Sequence, residues 1–365
     1  MAPSGTKHAA ITLSHDNGFD SIRLVAAAMV LVSHSFVLTA GSESAEPLYR
    51  LTGGQASLGY VSVAAFFVLS GLLIAGSFDR SSSGRSFWLK RAFRILPGLW
   101  VSVLATVLLF GPLFTTATMG QYFSSGTTFG FLRNLFFLPR ADGLESVFVS
   151  HPFANAINGS LWTLRYEVAC YAGCAVLMLL RGFRNAAVLG AWAMSFVISA
   201  VFPDSDGLGG VTFHIVLLAD LFRYFGAGMV LYLWRDRIVL NAMFGWMAML
   251  IVAVAAFTPA FTHILAVFGS YAIVCFGYMA PERFRAITRR GDISYGVYIY
   301  AFPVQQALVP LCLAWSIPWL ANSVAALAIT VFLACLSWMF VEHPAITFGK
   351  RLLRSPRTTA GAARS

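Results

Sequence analysis

The chain has 365 residues, 58% of them hydrophobic and 11% charged, where soluble domains carry roughly 25% charged residues. That composition excludes an ordinary soluble enzyme and identifies a polytopic membrane protein. The formal net charge of +10 invites a nucleic-acid reading, but the placement of the charges argues against one.

Residues 1–20 are polar and lack the short apolar core and small-residue cleavage site of a signal peptide. They are expected to form a cytoplasmic tail, and the first helix a retained anchor. Ten apolar segments follow, at 21–39, 57–76, 95–117, 160–180, 185–202, 213–233, 240–257, 262–279, 293–312 and 320–341. The pattern predicts an all-α, single transmembrane domain over 21–344, with a basic cytoplasmic tail at 345–365. Nineteen of the 25 Lys and Arg fall in the two tails and the even-numbered connections. Arg50, Arg133 and Arg140 stand on the opposite side, and Arg23, Arg165 and Arg223 within helices. Cytoplasmic connections collect Lys and Arg, so both termini are expected in the cytoplasm of a multi-pass plasma (inner) membrane protein. The basic excess therefore reports topology and contact with membrane lipids, and no nucleic-acid partner is expected.

The first span, Asp20 to Leu38, carries Arg23 at its cytoplasmic end and His34 past the midplane. Eleven residues bring the two to within about 20° of one helix face and about 16 Å apart along the axis. An ionisable group inside a span usually faces a bundle interior or a water-filled path. The blander reading is a histidine satisfied by a neighbouring helix and an arginine that anchors the helix end.

Leading into the third segment, Phe87-Trp-Leu-Lys-Arg-Ala-Phe-Arg-Ile-Leu-Pro97 puts Arg91 and Arg94 on one helical face beside Lys90. Guanidinium forks suit phosphate oxygens, although anionic lipid headgroups would be met by the same residues. Connection 118–159, expected outside the membrane on the far side, is long and rich in Phe, with Phe131, Phe136 and Phe137 beside Pro139. It reads equally as a functional or re-entrant piece around 128–138 and as a solvated aromatic-belt loop.

Further along, Arg165 and Glu167 lie inside the fourth span and require partners. Glu167 could orient or charge-stabilise a histidine, or pair with an arginine on another helix. Asp220 and Arg223 stand i,i+3 near the middle of the sixth span, which points to mutual neutralisation or to a proton path. In the ninth, Tyr295, Tyr298 and Phe302 share a face and Pro303 is expected to kink the helix ahead of Gln305 and Gln306. The tenth ends at Glu342, with Pro344 as its stop. The five cysteines lie in apolar segments without metal-ligand spacing, and no metal site is expected.

Six of these pieces, in this order, resemble the acyltransferase 3 family of integral-membrane O-acyltransferases, which modify surface glycans and lipids. They are Phe19-Asp-Ser-Ile-Arg-Leu-Val-Ala-Ala with His34, Phe66-Phe-Val-Leu-Ser-Gly-Leu-Leu-Ile74, Arg91-x-x-Arg-Ile-x-Pro97, Ser160-Leu-Trp-Thr-Leu-Arg-Tyr-Glu167, Ile293-Ser-Tyr-Gly-Val-Tyr-Ile299 and Glu342-x-Pro344. The resemblance runs from Phe19 to about Pro344. It implies a core of about ten spans and an acyl donor, usually acetyl-CoA, delivered from the cytoplasm. The acceptor would be a hydroxyl of an extracytoplasmic or lipid-linked glycan. On this chain it implies His34 as the catalytic histidine, with Arg23, Arg91 and Arg94 serving the donor or holding the motif together. Ser70, Glu167, Tyr298 and Glu342 fall on motif positions. Acyl-CoA is then a substrate, and no tightly bound or redox cofactor is implied. Two departures stand out: Ala301 occupies a position where many members have a histidine, and the stretch after Pro344 is too short for the extra hydrolase-like domain some members carry.

These readings join physically. Acyl-CoA would anchor its phosphates at the arginines and extend its arm along the helix face towards His34, whose neutral imidazole would serve as general base. An acyl-enzyme on the same imidazole is the other route. The competing function is a proton-coupled transporter of a small polar solute or glycan precursor using His34, Glu167, Asp220 and Arg223.

Overall fold

The structure, a computed structural model, describes residues 17–138, 143–202 and 209–353. Most of the two predicted tails and Arg140 lie outside the described residues. Among those residues there are helices and turns, with a lone bridge between Thr115 and Val147 in place of any sheet.

Ten long helices fall on the ten predicted segments. They are α1 (Phe19–Ala40), α2 (Leu58–Asp79), α3 (Gly84–Phe114), α4 (Trp162–Leu179), α5 (Arg184–Val201), α6 (Gly210–Leu233), α7 (Ala242–Ala255), α8 (Phe261–Tyr278), α9 (Ser294–Cys312) and α10 (Pro318–Leu353). Seven of them, all but α4, α7 and α9, are each long and apolar enough to cross a membrane, and α7 is apolar but shorter. The chain is therefore an integral membrane protein.

Local chemistry sets the helix ends. Ser57 and Ser83 cap α2 and α3 by accepting the Tyr60 and Ser86 amides, each at 3.2 Å. Gly41, at φ 76°, closes α1 with its N–H on the Val37 carbonyl. The Ser83 cap starts α3 eleven residues ahead of the predicted segment, so Lys90, Arg91 and Arg94 are already on a helix that projects beyond its apolar part.

The predicted stop at Pro344 is corrected: α10 continues to Leu353. A π-helical turn, Trp338–Glu342, comes just before Pro344, with the His343 amide reaching back to the Trp338 carbonyl. The proline thus sits in the first turn of the segment His343–Leu353, where a missing N–H costs little.

The centre of the bundle is α1, packed on α2, α9 and α10, with α6 lying against the far side of α2. The α2–α6 approach depends on Gly71 and Gly228. A Cβ on Gly71 would sit 1.9 Å from the Phe225 carbonyl oxygen, and one on Gly228 2.1 Å from that of Val68. Small residues allow such close backbone approach inside a membrane, where packing replaces the hydrophobic drive.

Helix α9 runs through Pro303 and Pro310. Pro303 has no amide to offer the Ile299 carbonyl, which instead accepts from Asn158 Nδ2 at 2.9 Å and Ser102 Oγ at 3.3 Å. Beyond it, Gln305 bonds the Leu31 carbonyl, Ser35 and Asn322, and Gln306 bonds His151 and the carbonyls of Phe153 and Ala156. These bonds tie the connection before α4 down onto α9. The piece around 128–138 forms the short helix Gly126–Phe131 and the 3₁₀ turn Leu132–Phe136, with Phe131 fully buried.

Candidate active site

A cavity of about 290 Å³ opens between α1, α2, α3, α4 and α9. Six residues singled out in the sequence line it: Arg23, Ser70, Arg91, Arg94, Glu167 and Tyr298. They come from five helices, so the cavity joins motifs scattered over most of the chain.

Its basic end is organised by Asp292, just before α9. Arg94 makes an ion pair with Asp292, Arg23 lies 4.0 Å from the same carboxylate oxygen, and Arg23 also lies 3.5 Å from Asp20. Ser294 donates both its amide and its hydroxyl to the other oxygen. Burial works against the Asp292 charge, but Arg94, then Arg23 and Ser294, hold its carboxyl below the usual carboxylate range. Arg91 is placed differently. It is 7% exposed, its guanidinium stacks 3.8 Å over the Phe87 ring, and its Nε is buried without a partner. Lys90 lines the same end.

Midway, Glu167 accepts hydrogen bonds from the Tyr171 hydroxyl, one turn further along α4, and from Ser70 Oγ at 3.2 Å. Among the described residues these are the hydrogen bonds of Glu167, and neither goes to a histidine. The other end of the cavity is closed by the Thr163 and Tyr298 hydroxyls, 2.7 Å apart, with the Phe66 ring edge-on to Tyr298 at 5.7 Å.

His34 does not line the cavity. Its ring packs edge-on against Phe302 at 5.1 Å, and its Nδ1 is buried without a hydrogen-bond partner. Phe302 follows Tyr298 by four residues, so the ring that packs on His34 stands about one helical turn along α9 from the Tyr298 on the cavity wall. Ala301 belongs to an apolar cluster with Leu31, Val304 and Ala326, on the side of α9 that meets α1 and α10.

Glu342 is buried behind the cavity rather than in its wall. Oε1 accepts the Ser337 hydroxyl at 2.9 Å, Oε2 has no partner, and the side chain rests against Gly98 and Gly296. The Asp220–Arg223 pair, bonded to the Tyr60 hydroxyl, lies on the far face of α2 and contributes nothing to the cavity wall.

Sequence reasoning missed Asp292, Thr163 and Tyr171. Tyr171 stands i,i+4 from Glu167, a spacing that marks neighbours on a helix face. Asp292 sits among arginines that read as a topology signal, and nothing in the pattern around Thr163 distinguished it.

A family profile described as an acyltransferase domain matches residues 16–341. The chain is 36% identical over 341 residues to an O-acetyl transferase of Shigella phage Sf6, across 91% of this chain and 96% of that one. It is 29% identical over 365 residues to nodulation protein 10 of Rhizobium leguminosarum bv. viciae, across 91% and 94%. Likeness to the peptidoglycan O-acetyltransferase OatA of Listeria monocytogenes, 23% over 343 residues, takes in 81% of this chain and 53% of that one. No solved structure matches the chain at a significant level.

Proposed function

The chain belongs to the acyltransferase 3 family and is an O-acetyltransferase, and from that premise we propose that it carries an acetyl group from cytoplasmic acetyl-CoA to a glycan hydroxyl on the far side of the membrane. The observation that supports this reading is the cavity itself, which gathers Arg23, Arg91 and Arg94 at one end and reaches Tyr298, one helical turn along α9 from the phenylalanine that packs on His34.

The arginines face the charge problem of the donor. Phosphates of CoA would sit at the basic end, where Arg91 keeps a buried N–H without an acceptor and charge-assisted bonds to phosphate are strong. The slender thioester arm would follow the apolar walls of Phe67, Leu73 and Ile95. His34, whose Nδ1 has no partner among the described residues, would remove the proton of the acceptor hydroxyl as its oxygen attacks the thioester carbonyl. Glu167 with Tyr171 and Ser70 would line the path of the arm rather than orient the imidazole. All ten long helices span the inner membrane in this scheme, with both termini and the basic end of the cavity cytoplasmic. A glycan acceptor, free or lipid-linked, is in keeping with the Listeria relative, a peptidoglycan O-acetyltransferase.

The test is acetyl-CoA binding and turnover by the purified protein, wild type beside His34→Ala. Binding by both, with CoA release by the wild type alone when an oligosaccharide is added, is the expected result. Absence of acetyl-CoA binding in folded protein would overturn the donor assignment. Equal CoA release by His34→Ala would remove the histidine from the chemistry.

A further inference from the structure

The closed end of the cavity holds a hydroxyl pair whose proton count leaves one donor to spare. Thr163 Oγ and Tyr298 Oη are 2.7 Å apart, both residues are buried, and both line the cavity. Two hydroxyls own two protons. One is used in the bond between them, and among the described residues neither oxygen has a second hydrogen-bonding partner. The remaining O–H belongs to a group on the cavity wall where no protein acceptor meets it. A buried donor left unmatched costs about 1–3 kcal/mol, so a fold that keeps one usually has a ligand oxygen or water for it.

We infer that the Thr163–Tyr298 pair donates this hydrogen bond to the carbonyl oxygen of the bound acyl thioester, making Tyr298 a catalytic residue of the transfer. The inference rests on the donor reading above and adds the group that holds the reacting carbonyl. Position supports it: Tyr298 is one turn of α9 before Phe302, whose ring packs edge-on against the imidazole of His34. A thioester whose carbonyl oxygen met the pair would present its carbon towards the histidine side. The phenol is the more acidic of the two hydroxyls. Thr163 donating to Tyr298 therefore leaves the stronger donor for the substrate.

The step balances without further reagents. The acceptor oxygen forms a bond to the carbonyl carbon while its proton passes to His34. The carbonyl π electrons move onto oxygen, where the Tyr298 O–H holds the growing negative charge. Collapse re-forms the C=O and breaks the C–S bond, and the sulfur leaves as thiolate to take the proton from the imidazolium. The products are the O-acyl ester and CoA. Donors fixed at the site of developing charge are worth about 10²–10³ in rate each.

The experiment reads the carbonyl directly and needs no acceptor. Acetyl-CoA carrying a ¹³C carbonyl is bound to His34→Ala protein in lipid nanodiscs, and the infrared band is compared with that of the free thioester. A shift to lower wavenumber on binding, lost when Tyr298→Phe is added and reduced by Thr163→Val, is the expected result. In the His34-containing protein, Tyr298→Phe should lower kcat about 10²-fold while the affinity for ethyl-CoA, a thioether without the carbonyl, stays unchanged. A band that ignores both substitutions, with acetyl-CoA still bound, would overturn the inference, as would equal weakening of ethyl-CoA. Failure of the unsubstituted protein to bind either ligand would instead strike the donor reading.

Discussion

Arg94 and Asp292 are ion-paired at the basic end of the cavity although 198 positions separate them in the chain. The carboxylate also faces Arg23, so one acidic side chain fixes two of the three arginines on the wall. Removing a partner from a buried pair costs about 3–5 kcal/mol because a charge is left without compensation. Arg94 keeps 29% of its side chain exposed, which lowers the figure here to about 2–3 kcal/mol. Asp292→Asn is therefore expected to unfold at a clearly lower temperature than wild type in the same detergent. An unchanged unfolding temperature would show that Ser294 and solvent satisfy the arginines unaided.

The same carboxyl makes stability depend on pH in a defined window. Although burial works against the charge, Arg94 and Arg23 hold its folded pKa below that of the unfolded carboxyl, so its stabilising contribution is complete above the unfolded pKa. As pH falls through the depressed folded pKa the carboxylate is protonated and the contribution disappears. Between about pH 4 and the onset of acid unfolding, wild type should lose stability more steeply than Asp292→Asn. Parallel stability curves for the two proteins would contradict this assignment.

Arg91 supplies a different prediction because it is not tied into that ion pair. A charge-assisted hydrogen bond contributes about 1.5–3 kcal/mol, so Arg91→Gln should weaken acetyl-CoA binding roughly 10- to 100-fold. Arg91 and Arg94 changed together to Gln should weaken it further while the protein remains folded in the membrane. Titration calorimetry in detergent measures both, and unchanged affinity would assign Arg91 to lipid headgroups.

The positions of the helices were legible because apolar runs of membrane length show in the sequence. The pairing of motifs was not. Nothing local says that Ser70 will meet Glu167, or that Asp292 will sit between Arg23 and Arg94. Such contacts are set by which helices pack together, and that depends on close approaches such as Gly71 against Phe225. Glu167 shows the limit well. Its charge drew attention to His34, whereas its partners are a tyrosine one turn along its own helix and a serine from α2.

Sidedness is open to a direct check. A reporter fused in the connection 118–159, after Ser150, should read as extracytoplasmic, and one after Thr288 as cytoplasmic, since arginines gather on the second side. Reversal of the two would put the basic end of the cavity on the wrong face for cytoplasmic CoA.

Asn158 links the fold to the chemistry more finely. Its Nδ2 donates to the Ile299 carbonyl, the group that Pro303 leaves without its helical partner, and Asn158 is 3% exposed. Ser102 reaches the same oxygen only at 3.3 Å. Replacing Asn158 by Ala removes the shorter bond and should destabilise the protein by about 1–2 kcal/mol. Replacement by Asp should cost more, because a carboxylate accepts hydrogen bonds and would face the carbonyl with like partial charge. The functional consequence follows from position: Ile299 lies between Tyr298, on the cavity wall, and Phe302, on the His34 ring. Loosening that turn of α9 should lower kcat while the KM for acetyl-CoA, which the proposed donor site assigns to the basic end, stays within about twofold, because small misplacements of reacting groups act on the chemical step. A rise in KM with kcat intact would instead assign Asn158 to the donor.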